Sequence, residues 1–244
     1  VHPLARIGAY SIIDAGAEIG ADCVIETNVR IYGFTQMGEG NRICHGATIG
    51  SQPQDMSYST SNAKPLTIGN NNVFRENTDI SHGIKEEHGT VIGDNNYFMI
   101  AAHIGHDCIL EDNNIFAPNA ILGGHVELGH DVYMSGHTAV HQFCKIGSLA
   151  MVSGLSAVVQ DVPPFVMVDG HRAEVVGLNV VGLRRAGFSS EERKAIKQAY
   201  KILYKSGLRQ NQAVEKLKAS YSTKPVQEII DFIGTSTRGL VSHR

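Results

Sequence analysis

The sequence predicts an all-β solenoid, a parallel β-helix of hexapeptide repeats, followed by a small α-helical tail. Three observations carry this reading. From Phe98 to Val158 an aliphatic, aromatic or Met residue recurs at every sixth position without a miss, through Ile104, Leu110, Phe116 and on to Val152. Several of these residues are followed by glycine, as in Ile104-Gly105, Leu122-Gly123, Leu128-Gly129 and Ile146-Gly147. Beyond about residue 165 the six-residue beat gives way to helical spacing. A period of six fits neither a 3.6-residue helix nor two-residue alternation, but it is the signature of coils made of a short strand plus a turn.

The frame extends backwards through Ile92, Ile80, Phe74 and Ile68, with Glu86 as its one exception. A second block, Ile7 to Ile49, keeps the same six-residue beat throughout. The step from Ile49 to Ile68 is nineteen residues, so a segment between them must leave the coil. Ser51 to Pro65 has the Ser, Asn and Pro content of an exposed loop, and Ser81 to Thr90, around Glu86, is a second excursion. The domain reading is therefore a solenoid over 1–164 with loops near 51–66 and 81–90, a connector over 165–188, and a helical domain over 189–244. Solenoid insertions gather on one face, often the binding face.

Each repeat is expected to place one apolar side chain in a narrow axial core while its glycine permits a tight corner. Stacked coils sit about 4.8 Å apart and bury together what one coil cannot bury alone. Pro163-Pro164 should end the solenoid, because neither residue can donate to a ladder. Ser189 and Glu192 read as a capping box with Phe188 as its staple. That helix should run to about Lys205, with Gly207 beyond its end. Asn211 is placed to cap a second helix reaching about Ala219, and Pro225 suits the first turn of a third.

Composition narrows the function. A net charge of -3 over 244 residues gives no reason to expect nucleic acid. Cys23, Cys44, Cys108 and Cys144 show no paired spacing, which suits reduced thiols in a cytoplasmic protein. No run approaches a membrane span and no signal peptide is visible.

The chemistry is expected among the histidines. Of twelve, six fall between His103 and His141, and five of them, His103, His106, His125, His137 and His141, are the candidates. At about eighteen residues per coil, His106 and His125 should sit on adjacent rungs of one side. Imidazoles stacked at corners are also a structural possibility. In Ala102 to Cys108 (AHIGHDC) a histidine precedes an aspartate beside a glycine corner, an arrangement suited to a general base whose tautomer a carboxylate fixes.

These residues resemble a known family. The strings AHIGHDC, GGHV from Gly123, TAVHQFCKIG from Thr138, QDVPP from Gln160, GLRRAGF from Gly182 and STRGL from Ser236 closely resemble the acyl-carrier-protein-dependent UDP-N-acetylglucosamine O-acyltransferases, which begin lipid A synthesis. The resemblance covers nearly the full length. It implies a left-handed parallel β-helix, a homotrimer with sites in the clefts between subunits, an acyl carrier protein as donor partner and a UDP-sugar acceptor. No cofactor or metal is implied, since phosphopantetheine arrives on the carrier protein.

By the same resemblance His106 is the general base towards the sugar 3-hydroxyl, Asp107 its orienting carboxylate, and Gly124 the backbone donor facing the oxyanion. His103, His125, His141 and Gln142 match substrate contacts, and Asp55 matches a sugar-binding acid. Asn179 and Arg185 match nucleotide contacts. Gly154 and Arg172 occupy the acyl-chain ruler positions, and glycine at 154 implies a chain near fourteen carbons. Three positions depart from the family pattern: Ser57 for a lysine, Val181 for an acid, and Arg172 for a histidine. They leave open a relative that acylates another nucleotide sugar, such as a 3-amino analogue, or a non-catalytic solenoid. A γ-class carbonic anhydrase with histidine-bound zinc is the rival on the same fold. The N-acyltransferases of the same pathway carry an N-terminal uridine-binding domain, whereas this sequence opens on hexapeptides.

Overall fold

The computed structural model describes residues 1–244. Three sheets of ten, eight and seven strands, here A, B and C, form the walls of a prism, and until the last coil each strand pairs with the third one along the chain. All solenoid pairings are parallel, and the register advances by one coil: Phe98 lies opposite Phe116 in sheet A, Ile104 opposite Leu122 in B, and Leu110 opposite Leu128 in C. Most strands are two residues long, and the second residue is the six-residue-frame residue that points inward. Phe74, Phe98 and Phe116 stack through the core with ring centroids 4.9 Å apart. Ile7, at 48% exposed, belongs to the frame but lies on a first coil with no neighbour on one side.

The corners differ from the sequence expectation. The third residue after each inward one adopts left-handed backbone, with φ between 56° and 60° at Asn95, Asp107, Asn113, Asn119, His125 and Asp131. Asn and Asp tolerate this region better than other non-glycine residues do. Gly50 apart, whose φ is +74°, the glycines that follow the inward residues have no such φ. A Cβ on Gly105 would lie 2.8 Å from Gly124 N, and one on Gly129 would lie 2.7 Å from Ser148 N. They are there because successive coils approach too closely for a side chain.

The corner between C and A holds a buried asparagine ladder. Asn41 Oδ1 accepts the Asn72 N–H, Asn72 Oδ1 that of Asn96, Asn96 Oδ1 that of Asn114, and Asn114 Oδ1 that of Val132, at 2.8–2.9 Å.

Both excursions leave the corner between B and C, on consecutive coils. One joins the strand Thr48–Ser51 to Leu66–Ile68, and the other joins Asp79–Ser81 to Thr90–Ile92. The second adds six residues to its corner, so the frame continues undisturbed beyond it and Glu86 marks loop rather than core. Lys64 Nζ ties the loops together through Glu87, 2.8 Å away.

The solenoid does not end at Pro163-Pro164. The prolines occupy a corner, where no ladder donor is needed, and Val166–Asp169 continues sheet A in parallel with Met151 and Val152. Glu174–Leu178 then closes that sheet antiparallel. The connector also contains a short helix, α1 (Val180–Arg185). Helix α2 (Ser190–Lys205) has the expected capping box, and Gly207 has a φ of +72°. Helix α3 (Gln210–Ser220) starts one residue before Asn211, because Gln212 reaches back to the Arg209 N–H at 3.1 Å. Helix α4 (Lys224–Thr235) carries Pro225 in its first turn. Fully buried Asp161 accepts hydrogen bonds from Lys145 N–H, Ser236 Oγ, Thr237 N–H and Arg238 N–H. Two of the family strings, QDVPP and STRGL, thus fasten to one another. Solenoid and tail share one apolar core of 49 buried residues. No helix is long and apolar enough to cross a membrane.

Candidate active site

The corner between B and C is built from successive turns of one edge, so His106-Asp107, Gly124-His125 and His141-Gln142 stack coil upon coil beneath the two loops. Left-handed backbone at Asp107, with φ of 57°, brings its carboxylate back beneath the preceding side chain. His106 Nδ1 hydrogen-bonds Asp107 Oδ2 at 2.8 Å. This fixes the tautomer that carries hydrogen on Nδ1 and leaves Nε2 as an acceptor.

Asp107 has a second task. Its oxygens accept the successive N–H groups of Ile84, Lys85 and Glu86 at 3.1–3.3 Å, and Thr90 Oγ1 receives its own N–H at 2.9 Å. Burial pushes this carboxyl up, but the His106 hydrogen bond and the three N–H groups outweigh it and hold the group down at about 2. The corner therefore keeps a permanent negative charge behind the imidazole.

His106 Nε2 faces Asp55 Oδ2 at 3.7 Å, with the imidazole side chain 12% exposed. Asp55 comes from the first loop, where Ser57 N–H and Oγ both bind its Oδ1, at 2.7 and 2.6 Å. Those bonds, the Ser57 hydroxyl first, hold the Asp55 carboxyl below its usual range. Gly124 packs on the other side of the imidazole. A Cβ there would lie 2.7 Å from His106 Nε2, and the Gly124 N–H has no acceptor within the chain. A side chain at this point would displace the imidazole.

His125 stands edge-on to His106, with centroids 5.1 Å apart, and stacks on Phe143 at 4.5 Å. Adjacent rungs do bring the two imidazoles together. Burial depresses the His125 imidazolium against the pull of Asp107, and its Nε2 is buried without a hydrogen-bond partner. The ligand atoms of His106, Asp107 and His125 lie within 4.8 Å of one another. In that set the carboxylate already accepts four hydrogen bonds, so its lone pairs are engaged by the chain.

The remaining expected residues lie outside the His106–Asp107–His125 cluster. His103 is on the outer face of sheet B, bonded to Asp79 at 2.9 Å. His141 and Gln142 are exposed one coil beyond His125. His137 belongs to the corner between A and B and leaves the histidine group. Gly154 occupies that same corner, exposed, where a Cβ would come no nearer than 3.5 Å to Gly136 O. Arg172 is exposed in the last hairpin. Asn179 is 8% exposed and has both ends of its amide engaged: it caps α1 through Gly182 N–H at 3.0 Å and donates to Leu149 O at 2.8 Å. It thereby holds α1, whose Val181 and Arg185 line a cleft over sheet A with Tyr133 and Met167. Sequence reasoning passed over Lys85, Glu86 and Phe143. The break in the frame at Glu86 was the signal for the first two.

Known proteins resemble this chain in both sequence and fold. Residues 161–241 match the family model described as "Udp N-acetylglucosamine O-acyltransferase; Domain 2", and residues 89–124 match "Bacterial transferase hexapeptide (six repeats)". A protein of Paraburkholderia phymatum named "Acyl-[acyl-carrier-protein]--UDP-N-acetylglucosamine O-acyltransferase" is 43% identical over 259 residues, covering 99% of this chain and 98% of its own. One of the same name from Burkholderia orbicola is 43% identical over 211 residues, with 84% and 80% covered. The crystal structure of UDP-N-acetylglucosamine O-acyltransferase from Moraxella catarrhalis superposes with a TM-score of 0.95 at 38% identity, covering 98% of this chain and 94% of that one. The fold is thus the left-handed parallel β-helix with a helical tail.

Proposed function

The chain belongs to the acyl-[acyl-carrier-protein]–UDP-N-acetylglucosamine O-acyltransferase family, and on that premise we propose that it transfers an acyl chain, typically 3-hydroxyacyl, from acyl carrier protein to the 3-hydroxyl of UDP-N-acetylglucosamine, the entry step of lipid A synthesis. The observation that carries the reading is the His106–Asp107 pair, with Nε2 left free between Asp55 and Gly124. His106 Nε2 removes the proton from the 3-hydroxyl as that oxygen attacks the thioester carbonyl. The carbonyl oxygen takes up the negative charge opposite the Gly124 N–H. Collapse breaks the carbon–sulfur bond, and the phosphopantetheine thiolate leaves with the proton returned by His106. Asp107 stabilises the imidazolium formed on the way. Asp55 orients the sugar, and His103, His125, His141 and Gln142 contact the two substrates.

A homotrimer is part of this proposal. Arg185 lies over sheet A while His106 lies on the corner between B and C, so one substrate meets both only where two copies abut. Ile115, Ile121 and Tyr133 leave apolar surface on the outer faces for such contacts. A cytoplasmic location follows from the carrier-protein donor. Lys197, Lys201 and Lys205, one turn apart on α2, edge a groove floored by Val176 and Val180, which suits an acidic carrier protein.

The test is an acyl-transfer assay in which carrier-protein thioesters of graded length meet either UDP-N-acetylglucosamine or its 3-amino analogue, with products weighed by mass spectrometry. Ester formation is the expected result. Turnover of the amino sugar alone would reassign the acceptor, and no turnover by a folded protein would leave a non-catalytic solenoid. In the same assay Gly154→Met should shorten the preferred acyl chain, and an unchanged chain profile would remove Gly154 from the ruler.

A further inference from the structure

We propose that Lys85 is the substrate-positioning cation of this site and that it receives the sugar-linked phosphate of the nucleotide sugar. This rests on the acyl-transfer reading above. Three carboxylates, Asp55, Asp107 and Glu86, crowd the catalytic corner, yet the acceptor brought there is a diphosphate ester. An acidic corner cannot hold such an anion without a cation beside it. Lys85 supplies that cation. Its ammonium lies 3.8 Å from Asp55 Oδ2 with half of the side chain exposed. The other lysine of the two loops, Lys64, is already tied to Glu87 at 2.8 Å.

The position of Lys85 is built rather than incidental. Asp107 grips the N–H groups of Ile84, Lys85 and Glu86, so the carboxylate that orients the base also fixes the backbone under the lysine. Ser57 occupies Asp55 Oδ1, which leaves Oδ2 to face both His106 Nε2 and Lys85 Nζ. The two heads therefore flank a single oxygen atom. On a pyranose ring the 3-hydroxyl and the C1 substituent stand on opposite sides of C2. A sugar seated with its 3-hydroxyl at Nε2 directs its C1 phosphate to the other flank of Asp55, where Lys85 stands. Charge-assisted contact with phosphate then replaces the long contact with Asp55.

The experiment compares Lys85→Ala, Lys85→Arg and the unsubstituted chain, varying UDP-N-acetylglucosamine at saturating acyl donor. Lys85→Ala should raise KM for the sugar nucleotide roughly 10- to 30-fold, with a smaller change in kcat and none in KM for the acyl donor. Lys85→Arg should restore most of the affinity. Competition with N-acetylglucosamine 1-phosphate should weaken in Lys85→Ala, while competition with UMP should not. An unchanged KM in Lys85→Ala, or equal weakening of both competitors, would overturn the assignment while leaving acyl transfer in place. Absence of turnover in the unsubstituted chain would instead overturn the reading on which it rests.

Discussion

Two corners of the same solenoid use the same turn for opposite purposes. Between sheets C and A, Asn72, Asn96 and Asn114 sit fully inside, each bonding the backbone of the next coil. Between B and C, the polar side chains at equivalent turns are His106, Asp107 and His125, and they leave imidazole nitrogens without partners. The first corner satisfies its own polar atoms and holds the stack together. The second keeps some free and roofs them with two loops, where the proposed reaction would take place. What separates structure from chemistry here is the number of unmet bonds, not the kind of turn.

That contrast can be broken at either corner. His106→Ala should lower kcat by about three orders of magnitude or more, since base catalysis and its coupled proton return are both lost. Its melting temperature should stay near the starting value, and near-normal turnover would remove the base from the scheme. Asp107→Asn should lower kcat about 100-fold and also loosen the second loop, because an amide oxygen holds three N–H groups less firmly than a carboxylate. Amide hydrogen exchange at Ile84, Lys85 and Glu86 would register the second effect. In the other corner, Asn96→Ala leaves the Asn114 N–H buried without its acceptor, at a cost of about 1–3 kcal/mol. Activity per folded molecule should be unchanged, and a loss of kcat without a loss of stability would contradict the division drawn here.

The smallest effect concerns pH. Burial holds the imidazoles of His82 and His125 below their ordinary value of 6.5. Below that pH the unfolded chain therefore binds more protons than the folded one. Their contribution is complete above about pH 6.5 and is lost progressively as the pH falls through and below it. Asp107, held at about 2, has the same sign in a lower window: its contribution is present above the ordinary 3.8 and is lost as the pH falls towards 2. Melting temperatures measured against pH should decline in two steps, and a flat profile from neutral pH down to about 5 would exclude the histidine step.

The solenoid was legible because core residues at a fixed interval leave a trace that needs no partner information. Ile104 and Leu122 could be placed on one wall by counting, and so could His106 and His125 on one edge. Both loops were found through the same frame, since the first shifts the count by one and the second puts the charged Glu86 at a core position. The corners were not legible in the same way. Asn95 and Asp107 rather than the glycines carry the left-handed backbone, and a Gly following an inward residue has the same letter whether it turns the chain or makes room for the next coil. The continuation past Pro163-Pro164 was hidden because proline forbids a ladder bond only where one is made. That Asn179 also caps α1 and holds Leu149 O could not be read, because a residue type does not name the partners of its amide. Lys85 was missed because its place depends on Asp107, a long-range contact that no local spacing records.

The end of the stack has a consequence of its own. A parallel β-helix has no inherent stopping point, since each finished rung presents a row of donors and acceptors on which another could grow. Here the last strand, Glu174–Leu178, runs against the others, and the segment held by Asp161 crosses the end beside it. Reversed polarity and a covering tail turn an open template into a closed surface. They make the molecule a particle of defined length rather than the first segment of a fibre.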